Sequence, residues 1–143
     1  MKNIKMLLIL GLVLSIAGSA MASDAKTETP APVQKPTPDQ ALAKLKEGNE
    51  RFVAGKEKCP DYDPARIALA GKENQKNYAY ATILSCSDSR VPVEHIFDAG
   101  VMELFVIRVA GNVCNTDEIG SIEYGLAHVL TPVLVVLGHT QCG

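Results

Sequence analysis

Apolar residues fall into two patterns along this chain, and their alternation predicts its architecture. From residue 37 the pattern is helical. Thr37 precedes Pro38, and Gln40 stands three positions after the threonine, a capping-box start with proline at the first helical position. Leu42, Leu45, Phe52 and Val53 then recur at helical spacing until Gly55 stops the helix. Asp63-Pro64 opens a shorter helix through Ile67 and Leu69 that ends near Gly71. Three short apolar runs follow at residues 80–84, 104–107 and 133–137, and each reads as a buried strand. Between them, residues 92–97 predict one or two helical turns and residues 111–112 a turn. Asn115 opens a helix with Ile119, Ile122, Leu126, Val129 and Leu130 on one face, ended by Pro132. Buried strands alternating with helices predict an α/β fold, a mainly parallel sheet flanked by helices. The functional crevice of such a sheet lies outside the carboxyl ends of its strands.

The first 36 residues are different in kind. Lys2 and Lys5 precede an apolar run at residues 6–17, and Ala20-Met21-Ala22 supplies the small residues of a cleavage site. Residues 1–22 are therefore expected to be a signal peptide, and the protein to be exported, periplasmic or secreted. The run is short for a membrane span, so no stable span is expected after cleavage. Residues 23–36, with Pro30, Pro32 and Pro36, read as a flexible tether. That leaves residues 37–143 as one domain. Losing Lys2 and Lys5 takes the formal charge from −2 to −4, which argues against nucleic acid as a partner.

The candidate chemistry sits where the first and last strand-like segments hand over to turns. Cys86, Asp88 and Arg90 follow the 80–84 run, and His139 and Cys142 follow the 133–137 run through Gly138. Two thiolates and an imidazole form a ligand set that zinc prefers, and three protein donors leave a fourth position open. Four cysteines in an exported protein also admit two disulfides, whereas zinc on Cys86 and Cys142 leaves Cys59 and Cys114 free or paired with each other. A parallel sheet favours the metal reading, because it brings both ligand groups to the same end.

Six segments resemble the β-class carbonic anhydrases: residues 45–52 (LKEGNERF), 86–92 (CSDSRVP), 96–100 (IFDAG), 108–113 (RVAGNV), 120–125 (GSIEYG) and 135–143 (VVLGHTQCG). The resemblance covers nearly all of residues 37–143. It implies one zinc ion per chain on Cys86, His139 and Cys142, and an Asp–Arg pair at Asp88 and Arg90. In that family Asp88 stands either as a catalytic helper held by Arg90 or as a fourth zinc ligand. The implied activity is reversible hydration of carbon dioxide to bicarbonate and a proton, through zinc-bound hydroxide. The alternative is a non-catalytic zinc-binding or assembly fragment.

Gln75 is the candidate for a substrate-binding glutamine upstream of the first ligand. Ile83 stands where a bicarbonate-inhibited subgroup tends to carry tryptophan. His95 and His128 read as helix-surface residues rather than proton shuttles. The family also implies a homodimer or higher homo-oligomer. Its members continue past the second cysteine, so the domain is expected to be truncated at its C-terminus.

Overall fold

A computed structural model describes residues 34–58 and 63–143. The expected signal peptide, most of the expected tether and Cys59 lie outside the described residues. Helix α1 (Pro38–Val53) starts as its sequence dictates: the Thr37 hydroxyl accepts from the Gln40 N–H, and the Gln40 side chain accepts from the Thr37 N–H. Gly55, at φ 62°, turns the chain away. Helix α2 (Pro64–Ala70) is capped by Asp63. Strand β1 (Ala81–Cys86), helix α3 (Val93–Ile96), strand β2 (Leu104–Val109), helix α4 (Thr116–Ala127) and strand β3 (Leu134–Leu137) complete the order.

The three strands form one parallel sheet in the order β2-β1-β3. Thr82 stands opposite Phe105 and Leu134, and Ser85 opposite Arg108 and Leu137. Every residue of the central strand is buried, as its unbroken apolar run requires. One face of the sheet packs against α1 and α3, where Ala41, Leu45, Val93, Ala81, Ile83 and Leu104 make the core. The other face receives α4 at Gly125, where an added Cβ would collide with the Thr82 hydroxyl and the Phe105 ring.

Two buried acids tie the helices to the start of β2. Asp98 takes Arg51 of α1 and the Lys58 N–H, while Glu103 takes Lys44 at 3.1 Å, Arg66 at 2.8 Å and the Gly100 N–H at 2.9 Å. Burial pushes the Glu103 carboxyl up, but the Gly100 N–H and the Lys44 and Arg66 cations outweigh it and hold it below its ordinary value. The stabilisation it gives is therefore complete above the usual glutamate range and is lost as pH falls through the depressed value. Glu103→Gln is expected to cost about 2 kcal/mol at pH 7, reduced from a fully buried pair by the exposure of Lys44. In thermal melts across pH, the gap to wild type should stay constant above the usual glutamate range and close as pH falls through the depressed value.

The structure departs from the sequence expectation in four places. Helix α4 ends at Ala127 rather than running to Leu130. Leu130 adopts a φ of 60°, the Thr131 N–H and hydroxyl both reach the Gly125 carbonyl, and Lys35 binds the carbonyls of Val129, Leu130 and Ala79. That lysine lies in the segment read as a flexible tether, so the end of the tether is tied down. The apolar face expected to bury α4 is largely exposed, at 48% for Ile119 and 56% for Leu130, because the small residue Gly125 makes the close approach instead. Residues 75–77 form a 3-10 turn that periodicity did not foretell.

Candidate metal centre

Strand β1 ends on Cys86 and strand β3 ends one residue before Gly138, so both ligand-bearing turns leave the same edge of the sheet. A donor atom from each of Cys86, His139 and Cys142 lies within 4.8 Å of the other two. The two sulfurs are 3.8 Å apart. Two thiolates each about 2.3 Å from a shared tetrahedral zinc would be about 3.8 Å apart, whereas a disulfide needs about 2.05 Å. Cys86, Cys114 and Cys142 are all free thiols. The disulfide alternative therefore does not hold for these three.

His139 adds an independent sign. Its Nδ1 lies 3.0 Å from the Thr140 carbonyl oxygen, which fixes the proton on Nδ1 and leaves a lone pair on Nε2. That Nε2 is buried and has no hydrogen-bond partner. A buried acceptor left without a donor is costly unless something binds it. The donor set and this orphaned nitrogen together fit a tetrahedral zinc ion.

The first thiolate is prepared by backbone. Cys86 Sγ accepts from the N–H groups of Asp88 at 3.5 Å and Gly111 at 3.3 Å, and these two bonds are the largest causes that bring the thiol down to about 6. Cys142 moves the other way, raised by the neighbouring Cys86 sulfur and by burial. Without a cation the pair thus carries one negative charge near neutrality. A divalent metal would displace the second proton.

Asp88 is not among the three converging donors. Arg90 holds it instead: Arg90 Nε and backbone N each donate to Oδ1 at 2.9 Å, and Nη2 donates to Oδ2 at 2.6 Å. This grip keeps the Asp88 carboxyl well below the usual carboxylate range. Arg90 also reaches the Gln141 carbonyl at 3.3 Å, joining the two ligand turns. Gln75 does not come to the centre. Its Nε2 donates to the Leu104 carbonyl at 2.8 Å, at the amino end of β2 and so at the opposite end of the sheet.

Arg108 went unassigned in the sequence, although it sits in the RVAGNV segment. From the carboxyl end of β2 it donates to the carbonyls of Cys86 and Asp88. The donors open into a cleft of about 800 Å³ lined also by Ser87, Ala110, Asn112, Val113 and Gly138. His95 and His128 are not in its lining.

Residues 81–143 match the family model described as carbonic anhydrase. The chain is 45% identical over 107 residues to carbonic anhydrase 2 of Mycobacterium tuberculosis, covering 74% of this chain and 50% of that protein. It is 42% identical over 106 residues to a carbonic anhydrase of Mycolicibacterium smegmatis, with the same two shares. Among solved structures it resembles the β-carbonic anhydrase CafA of Aspergillus fumigatus, with TM-score 0.51 and 25% identity over 73% of this chain and 47% of that one. The chain spans about half the length of the curated relatives it matches.

Proposed function

Because the chain belongs to the β-class carbonic anhydrase family, we propose that Cys86, His139 and Cys142 hold one zinc ion in the service of reversible carbon dioxide hydration. The observation that carries this reading is the convergence of the three donors with a buried, unpartnered His139 Nε2. Zinc bound there supplies the Lewis acidity that makes water a nucleophile near neutral pH.

The chain's own groups do the rest. Both lone pairs of Asp88 Oδ1 are occupied by Arg90, whereas Oδ2 receives a single bond and keeps an acceptor position free. Asp88 lines the cleft and stays ionised, so Oδ2 accepts a proton-bearing oxygen and orients it without donating. Arg90 keeps this carboxylate from swinging onto the metal. Ala110 and Val113 give the cleft apolar wall suited to an uncharged, linear substrate. The cleft is open, and among the described residues the side chains lining it include no titratable group beyond Asp88 and the three donors. The product proton therefore passes to solvent or buffer.

Arg90→Ala tests this division of labour. Zinc content should be retained, while stopped-flow hydration of carbon dioxide should fall about 100-fold, mostly in kcat. Undiminished activity would remove Asp88 and Arg90 from the mechanism.

The reading includes export and self-assembly. Export is supported by Lys2, Lys5, the apolar run and Ala20-Met21-Ala22, and the mature product should begin at Ser23 by N-terminal sequencing. A homo-oligomer is supported by apolar side chains at the surface of α4 and β3, including Leu126 and Val136, the latter 59% exposed.

A further inference from the structure

We infer that Arg108 is a positioning residue for the metal centre, locking the turn that carries Cys86 and Asp88 onto the end of β2. The inference rests on the zinc reading above. Arg108 Nε donates to the Cys86 carbonyl at 3.0 Å, and Nη2 donates to the Asp88 carbonyl at 2.7 Å. These carbonyls flank Ser87, so one planar guanidinium fixes two peptide planes on either side of it.

Apart from the Arg90 bond to the Gln141 carbonyl, which ties this turn to the other ligand turn, the remaining bonds around it are of two kinds. Arg90 N to Asp88 Oδ1, and Val91 N to the Asp88 carbonyl at 3.0 Å, fold the turn upon itself. Ser87 N to the Val109 carbonyl at 3.2 Å, and Gly111 N to Cys86 Sγ, fasten only its beginning to β2. Arg108 Nη2 is the bond among these that reaches from β2 past Ser87 to Asp88. Together with the Asp88 N–H on Cys86 Sγ at 3.5 Å, it sets where the carboxylate stands relative to the first thiolate. The side chain belongs to an exposed residue at the sheet's edge, outside the core cluster. An exposed arginine whose fork is committed to a ligand turn serves the turn more than the fold. Lysine, a point donor on a flexible stem, lacks the planar fork that holds both carbonyls in one fixed geometry.

The test compares the full chain with Arg108→Gln and Arg108→Lys. Zinc affinity is measured by competition with a chromophoric chelator, the cobalt(II) form is followed by its visible absorption, and melting is recorded without metal. The expected result is a 10- to 100-fold loss of zinc affinity in Arg108→Gln, with altered cobalt bands and a metal-free melting temperature within a few degrees of wild type. Arg108→Lys should recover part of the affinity. Affinity within twofold of wild type in both variants overturns the inference. So does a loss of affinity matched by unfolding of the metal-free protein with unchanged cobalt bands, which marks a merely structural residue. Failure of the wild-type chain to bind zinc overturns the zinc reading itself, and the inference with it.

Discussion

Cys86→Ser is expected to abolish stoichiometric zinc binding and, with it, carbon dioxide hydration. Structural zinc sites in peptides bind with roughly 10–16 kcal/mol, so one of three protein donors is worth on the order of 4 kcal/mol, or about 1,000-fold in affinity. Cys86 should exceed an even share. It is the donor seated on a buried central strand, already favoured as a thiolate by the Asp88 and Gly111 N–H groups. Serine leaves those N–H groups facing a neutral hydroxyl that is a poor ligand. Because serine is nearly isosteric, metal-free melting should change little, and isothermal titration with zinc separates ligand loss from misfolding. Binding of one zinc at wild-type affinity would remove Cys86 from the centre.

A large effect on stability is also expected from Gly48→Ala, a change that touches no ligand. Helix α1 crosses the 96–98 segment so closely that a Cβ at Gly48 would run into the Phe97 carbonyl oxygen. The same crossing is held by Asn49 Nδ2 on the Ile96 carbonyl at 3.1 Å and by Arg51 on Asp98. Backbone on both sides leaves no flexible side chain to move aside, so α1 must lift and those bonds stretch. Overpacking of this kind costs about 1–3 kcal/mol, and the loss of two polar ties adds to it, against roughly 1 kcal/mol gained in helix propensity. The expected net loss is about 2 kcal/mol, or roughly 10 °C in melting temperature. Gly120→Ala is the control. Nothing lies within 4 Å of its added Cβ, so the propensity gain should appear alone as a slight rise in melting temperature. A Gly48→Ala melting temperature equal to wild type would contradict the close crossing.

How much of this was legible in the sequence follows from what each signal measures. The apolar runs placed all three strands, and the central one is buried along its length as expected. Strand β3 is not the buried strand its run predicts, since Leu134 and Val136 are exposed. The strands' parallel pairing put Cys86 and His139 at one edge across 53 residues of chain, since parallel strands end on the same side. The capping boxes at Thr37 and Asn115 were local and readable.

Hydrophobic periodicity, by contrast, marks an apolar face without saying what it faces. Helix α4 approaches the sheet through Gly125, a residue that periodicity scores as nothing, and leaves Ile119 and Leu126 at the surface. Arg108 and Lys35 were hidden for a related reason. Each acts through its side chain on distant backbone carbonyls, and a carbonyl has no sequence signature. Gln75 is the candidate that the family resemblance implies upstream of the first ligand strand, but that strand carries it to the opposite end of the sheet from Cys86.

The central claim is a zinc ion held by two sulfurs and one imidazole nitrogen, and X-ray absorption at the zinc edge of the loaded chain tests it most directly. The expected spectrum has two sulfurs at about 2.3 Å, one nitrogen at about 2.0–2.1 Å and one further light atom, with one zinc per chain. A shell of nitrogen and oxygen without sulfur, a four-sulfur shell, or a chain that takes up no zinc would contradict it.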